Sequence, residues 1–134
     1  MIHIQTKIQA PLAAVWDAYN NPGDIQQWNH PSPEWHCPSS ENDLRTGGSF
    51  KSRMEARDGS FGFDFEGVYT EVLPMQSIKY RLADNRDVAI RFSEADNATL
   101  MDIDFEAETT NPVEIQQQGW QAILDSFKNH VENK

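Results

Sequence analysis

The sequence is poor in three things: cysteine, basic residues and long apolar runs. Cys37 is its one cysteine, and 11 lysines and arginines stand against 21 acidic residues. A single thiol forms no internal disulfide, which fits a reducing compartment. A net charge of −10 repels phosphate backbones and anionic lipid, so neither nucleic-acid binding nor membrane insertion is expected. No stretch approaches the ~20 apolar residues of a membrane span. The N-terminal MIHIQTKIQAP lacks the basic head and apolar core of a signal peptide. The expected location is the cytoplasm. The surplus acid is read first as a solubilising surface.

What is present is aromatic. Only 38% of the residues are hydrophobic, but they include 7 Phe, 4 Trp and 3 Tyr, which bring much buried area per residue. The 134 residues fit one domain, 1–134, with a core that needs no staples. There is no repeat, low-complexity tract or linker. The least regular stretch, 29–47, is rich in Pro, Ser, Asn and Gly.

Ile2, Ile4, Thr6 and Ile8 alternate with His3, Gln5, Lys7 and Gln9, the period of a half-buried strand. Pro11 suits a helix start, and Leu12, Val15, Trp16 and Tyr19 follow on one helical face. Asn21-Pro22 ends that helix and starts a short second one carrying Ile25 and Trp28. From Gly48 the period returns to two. Phe50, Ser52, Met54 and Ala56 form one inward face, and Asp58-Gly59 marks a hairpin. Phe61, Phe63, Phe65, Gly67 and Tyr69 form the next, opposite Asp64 and Glu66. Ile78, Tyr80 and Leu82, then Val88, Ile90 and Phe92, then Thr99, Met101, Ile103 and Phe105 complete an antiparallel meander. Asn111, Pro112 and Glu114 predict a capping box opening a long helix. Gln116, Trp120, Ile123, Leu124, Phe127 and Val131 share one face of it.

This order predicts an α+β helix-grip fold. A curved antiparallel sheet of about six to seven strands wraps a long C-terminal helix, with two short helices after the first strand. The order resembles the START-like, birch-pollen-allergen-like superfamily. Within it, the chain is similar to the family of activators of the ninety-kilodalton heat-shock-protein ATPase. The likeness runs through Ala10-Pro11 to Val15-Trp16, Ile25 to Trp28, Gly47-Gly48-Ser49-Phe50 with Asp58-Gly59, Gly67-Val68-Tyr69 to Leu73-Pro74, and Gly119-Trp120 with Leu124. It departs at Asn29-His30-Pro31, where many members carry a second aromatic. The resemblance implies a cavity between sheet and helix, and members that bind ligands, assist chaperones or, less often, catalyse.

The candidate ligand-binding set is Phe50, Met54, Phe63, Phe65, Tyr80 and Phe92 from the sheet, with Gln116, Trp120, Leu124 and Phe127 from the helix. Tyr80 and Gln116 offer polar anchors. Trp28, His30 and Trp35 are expected at the cavity mouth, formed by residues 28–36. The plainer reading is that the same rings simply fill the core. His30, His36 and Cys37 match no zinc spacing, so no metal site is assigned. Gly47-Gly48 is no phosphate loop, since no Lys-Ser/Thr follows, and no cofactor is called for. A Cys37–His nucleophile would need a base within reach and an orienting carboxylate, and sequence shows neither. Asp64/Glu66 and Asp102/Asp104 fall on faces opposite the aromatics, so solvent is their default. Three readings follow. The first is non-enzymatic binding of a small apolar or amphipathic molecule. The second is a co-chaperone-like module that stimulates a chaperone ATPase. The third is a cyclase- or hydrolase-type enzyme using the same cavity. Self-association through a sheet edge is a further option.

Overall fold

A computed structural model describes residues 1–134. The elements run β1 (Ile2–Ile8), α1 (Leu12–Asn20), α2 (Pro22–Trp28), β2 (Trp35–Asn42), β3 (Ser49–Ala56), β4 (Gly62–Leu73), β5 (Ser77–Leu82), β6 (Asp87–Ala95), β7 (Ala98–Phe105) and α3 (Val113–Glu132). The seven strands form one antiparallel sheet in the order β1-β7-β6-β5-β4-β3-β2. The helix-grip expectation holds. Consecutive strands β2 to β7 pair as a meander, while β1 crosses to the far edge beside β7. α1 and α2 therefore bridge the two edges, and α3 lies over the concave face.

Register follows side-chain chemistry. Ile4 pairs with Ile103, Ile103 with Ile90, Ile90 with Ile78, and Ile78 with Val72. This row of β-branched residues crosses five strands on the buried face, where such side chains pack best. The next row is larger: Ile2, Phe105, Val88, Tyr80 and Tyr69. A one-residue slip would turn both rows to solvent, so the burial fixes the pairing. The tight turns use the residues that tolerate left-handed backbone: Gly59 at φ 78°, Asn85 at 69°, and Asp96-Asn97 at 49° and 67°.

Gly67 marks a close approach. A Cβ there would stand 2.5 Å from the Arg81 carbonyl oxygen and 3.1 Å from the Phe50 ring. The missing side chain lets Phe50 lie across β4.

Two local expectations change. Residues 35–42 form a strand inside the stretch predicted irregular. Its sequence, WHCPSSEN, hides any alternation, and its pairing with β3 shifts register between His36 and Ser39. The capping box at α3 does not form either. Pro112 occupies the cap position and no side chain caps the helix. Gln116 and Glu108 instead bind the backbone of the preceding loop, as described below.

The β1 edge is closed by α3. Gln117 Nε2 donates to the His3 carbonyl (3.3 Å), Gln121 Nε2 to that of Gln5 (3.4 Å), and Lys128 Nζ to that of Lys7 (2.5 Å). These helix positions fall on one face and meet alternate residues of the strand, so its free carbonyls are spent.

At the other end of α3, Asp24 of α2 accepts from His130 Nε2 at 2.8 Å and from Lys134 Nζ at 2.9 Å. Burial alone raises the Asp24 pKa. Hydrogen bonds and charge from Lys134 and His130 outweigh burial and hold the carboxyl below its ordinary value. A depressed folded pKa stabilises above the unfolded value of about 3.9, and the contribution is lost as pH falls through the folded pKa.

Gly67→Ala is expected to cost roughly 1–3 kcal/mol through overpacking, read from urea midpoints. Asp24→Asn is expected to cost about 1–2 kcal/mol at neutral pH. Its deficit against the parent should close progressively below pH about 4, checked by urea titrations at neutral and acid pH.

Candidate functional site

The aromatic residues divide the interior into a filled end and an open end. At the filled end, Phe127 is fully buried and meets Trp28 edge-on at 4.9 Å and Tyr19 at 5.1 Å. Tyr19 stacks on Trp28, and Phe92 closes the cluster against Trp16 and Tyr19. Trp28 is held there because its indole N–H donates to the Ala18 carbonyl at 2.9 Å. Phe92 and Phe127 are thus core, as the plainer reading had it, and neither lines open space.

At the open end lies a cavity of about 330 Å³ between α3 and strands β3, β4, β5 and β7. Its wall includes six of the candidates from sheet and helix: Met54, Phe63, Phe65, Tyr80, Trp120 and Leu124. Trp28 closes its inner end and Gln116 adds to its side. Trp120 is fixed by parallel stacking on Phe105, with centroids 4.0 Å apart and planes within 10°. Phe65 then meets Trp120 edge-on at 6.0 Å. A smaller space of about 60 Å³ adjoins the cavity and shares Tyr19, Trp28, Asn29, Phe65 and Tyr80 with it. Phe50 lines the smaller space, packed on Tyr80 at 4.8 Å.

The mouth is not at residues 28–36. Only Trp28 and Asn29 of that stretch line the cavity, and both are buried. His30 contacts the Gln27 carbonyl through Nε2 at 3.1 Å, and its Nδ1 is sealed without a partner. Trp35 packs edge-on to Phe61 and to the outer side of the cavity residue Phe63. The exposed lining residues are Phe63 and Asn111, with Arg86, Glu108 and Ile123 half-buried between. The rim is therefore built by the start of β4, the β5–β6 hairpin, the loop 106–111 and the middle of α3. Fold topology brings these together, since Arg86 and Glu108 belong to turns with no pattern of their own. Tyr19 was visible on the α1 face, and Ile103 and Ile123 on their own elements, but nothing in sequence assigned them to a cavity.

Gln116 is not a free anchor. Its Oε1 accepts from the Glu108 N–H at 2.9 Å, and its Nε2 donates to the carbonyls of Glu108 (3.1 Å) and Asn111 (2.7 Å). Glu108 Oε1 in turn accepts from the Asn111 N–H at 2.6 Å. The side chain folds the loop 106–111 onto the helix and so shapes the rim. Other polar residues lie elsewhere in the lining, among them the phenols Tyr19 and Tyr80. Burial, then neighbouring phenols, pushes both well above the ordinary range, with Arg86 partly opposing at Tyr80. Both phenols therefore stay protonated donors at neutral pH.

Cys37 lies apart from the cavity. Its Sγ donates to the Ser39 carbonyl, and burial pushes the thiol up against hydrogen bonds from Ser52 and Ser39. Such a thiol is a weak nucleophile. His36 pairs loosely with Glu55 at 3.7 Å. No group of three or more His, Cys, Asp or Glu side chains converges as a metal site. On the convex face, Asp64 meets Lys51 and Arg53, and Asp104 meets His3 and Arg91. No helix is long and apolar enough to cross a membrane.

Comparison with known proteins follows this geometry closely. Residues 9–132 match the family described as "Activator of Hsp90 ATPase homolog 1-like protein". The chain belongs to this family. Solved structures agree with the membership. The AHSA1-like protein from Aeromonas hydrophila is 40% identical over 98% of this chain and 93% of its own, with a TM-score of 0.90. A protein from Cytophaga hutchinsonii is 45% identical over 98% of this chain and 92% of its own, at a TM-score of 0.85. One from Chromobacterium violaceum is 26% identical over 98% and 96%, at 0.87. Comparison with curated proteins finds no match. Membership in the activator-like family accounts for the helix-grip frame and names no ligand.

Gln116→Met keeps the bulk but removes three hydrogen bonds to the loop. It is expected to cost roughly 1–3 kcal/mol. Hydrogen exchange at the Glu108 amide should accelerate more than exchange in β5 or β6.

Proposed function

We propose that the protein binds a small apolar or amphipathic molecule, without catalysis, in the cavity between the sheet and α3. The observation that carries this reading is the division of the rings. Phe92 and Phe127 fill one end, yet Phe65, Tyr80, Trp120 and Leu124 leave about 330 Å³ beside them. That volume falls at the lower end of the range for small-molecule sites. Empty apolar space forfeits packing, and a ligand returns it. Burying about 250 Å² of apolar ligand surface would contribute roughly 6 kcal/mol before the cost of immobilisation. Taken alone, that contribution corresponds to a dissociation constant of about 40 μM, which immobilisation weakens and polar anchoring strengthens. The buried phenol donors of Tyr19 and Tyr80 supply polar anchors for an amphipathic guest.

A second reading rests on the family description: a co-chaperone-like module that stimulates a chaperone ATPase. The acidic convex face adds little to it, because Asp64 and Asp104 are already paired across strands. Stimulation of a purified Hsp90-type ATPase on mixing would support it, and an unchanged rate would count against it.

The cavity reading is tested with the uncharged fluorophore N-phenylnaphthylamine. The expected result is saturable, one-to-one enhancement at micromolar concentration. Ile123→Trp, which fills the cavity from the half-buried face of α3, should abolish it while leaving the thermal midpoint within a few degrees. No saturable enhancement with the parent protein would overturn the reading.

A further inference from the structure

Among the rim residues, Arg86 carries a charge that the protein leaves partly unspent. It sits in the β5–β6 hairpin, where Asn85 takes a φ of 69° and the Leu82 N–H donates to the Arg86 carbonyl at 2.9 Å. Asp84 fixes the side chain. Its Oδ2 accepts from Arg86 Nε at 2.7 Å, and its Oδ1 accepts from the Arg86 N–H at 3.3 Å. Arg86 lines the cavity with its side chain only 22% exposed, and its guanidinium pairs with Asp84 through Nε, leaving the Nη edge for another partner. Asp84 itself is 52% exposed, so its charge is largely screened by water.

We infer that the cavity selects molecules in which a flat hydrophobic body carries an anionic oxygen group. The body lies against Phe65, Trp120 and Leu124, and the carboxylate or sulfonate meets the free Nη edge of Arg86. A planar guanidinium with two adjacent N–H groups matches such an anion by paired hydrogen bonds. Orientation by Asp84 means little side-chain freedom is lost when the anion arrives. Tyr80 supports the assignment: its hydroxyl is a further donor in the same cavity, and the Arg86 charge reaches it. Glu108 is the opposing charge at the rim. Its Oε1 is occupied by the Asn111 N–H, which lowers but does not remove its repulsion of an anion. The inference rests on the cavity being a ligand site.

The test uses two probes that share a body and differ in one group: anilinonaphthalene sulfonate and the uncharged N-phenylnaphthylamine. The parent protein should bind the sulfonate more tightly. Arg86→Gln should weaken the sulfonate about tenfold, as loss of a charged hydrogen-bond pair does. The same variant should leave the neutral probe within about twofold, since it touches only the rim. Arg86→Lys, which keeps charge but loses the planar fork, should fall between. Glu108→Gln keeps an acceptor for Asn111 and should tighten the sulfonate by about two- to threefold. An unchanged sulfonate affinity in Arg86→Gln, or equal weakening of both probes, would overturn the anion assignment. Binding of the neutral probe without preference for the sulfonate would sink it while leaving the cavity reading intact. If neither probe saturates with the parent protein, both fall.

Discussion

The position of α3 over the sheet depends on two aromatic anchors. Trp120 stacks flat on Phe105 toward one end. Phe127 presses edge-on against Trp28 and Tyr19 toward the other. Aromatic pairs combine large buried area with preferred geometry, so each anchor fixes both distance and orientation. A helix held at two points cannot settle further into a curled sheet. Between the anchors, Ile123 and Leu124 line an open space together with Met54 and Phe65. The cavity is what remains.

The rest of the molecule follows from holding that frame. Polar side chains of α3 run along the β1 edge and occupy its carbonyls, which keeps the helix aligned with the strand and removes the edge as a pairing site. Asp24 ties the far end of the helix to α2 through His130 and Lys134. Gln116 ties the near end to the loop 106–111. The convex face carries exposed ion pairs that contribute little stability singly. They do neutralise much of the acidic pattern along β4 and β7.

The family frame and the site are separate matters. Likeness at 40–45% identity over almost the whole chain establishes membership and fold. It says nothing about what fills the space, because one fold carries many sites. The site's chemistry has to be read from its polar lining other than Gln116: Tyr19, Asn29, Tyr80, Arg86, Glu108 and Asn111.

Periodicity made the frame legible in the sequence. The alternation of Ile78, Tyr80 and Leu82, or of Met101, Ile103 and Phe105, records one buried face, because a strand turns its side chains with period two. The stripe Gln116, Trp120, Leu124, Phe127 and Val131 records the helix in the same way. β2 stayed hidden since Pro38 and a shifted register break that pattern. Inward direction was determined by sequence along most strands, though Phe61, expected inward, lies before β4 and is exposed; distance across the interior was not determined. Phe65 and Phe92 look alike in the chain, yet one faces open space and the other a packed ring, because that depends on which residues of α1, α2 and α3 stand opposite. The rim was decided by tertiary structure alone. Arg86 and Glu108 lie in turns, where no period exists to mark a face, and only the closing of the sheet around α3 brings them to one opening.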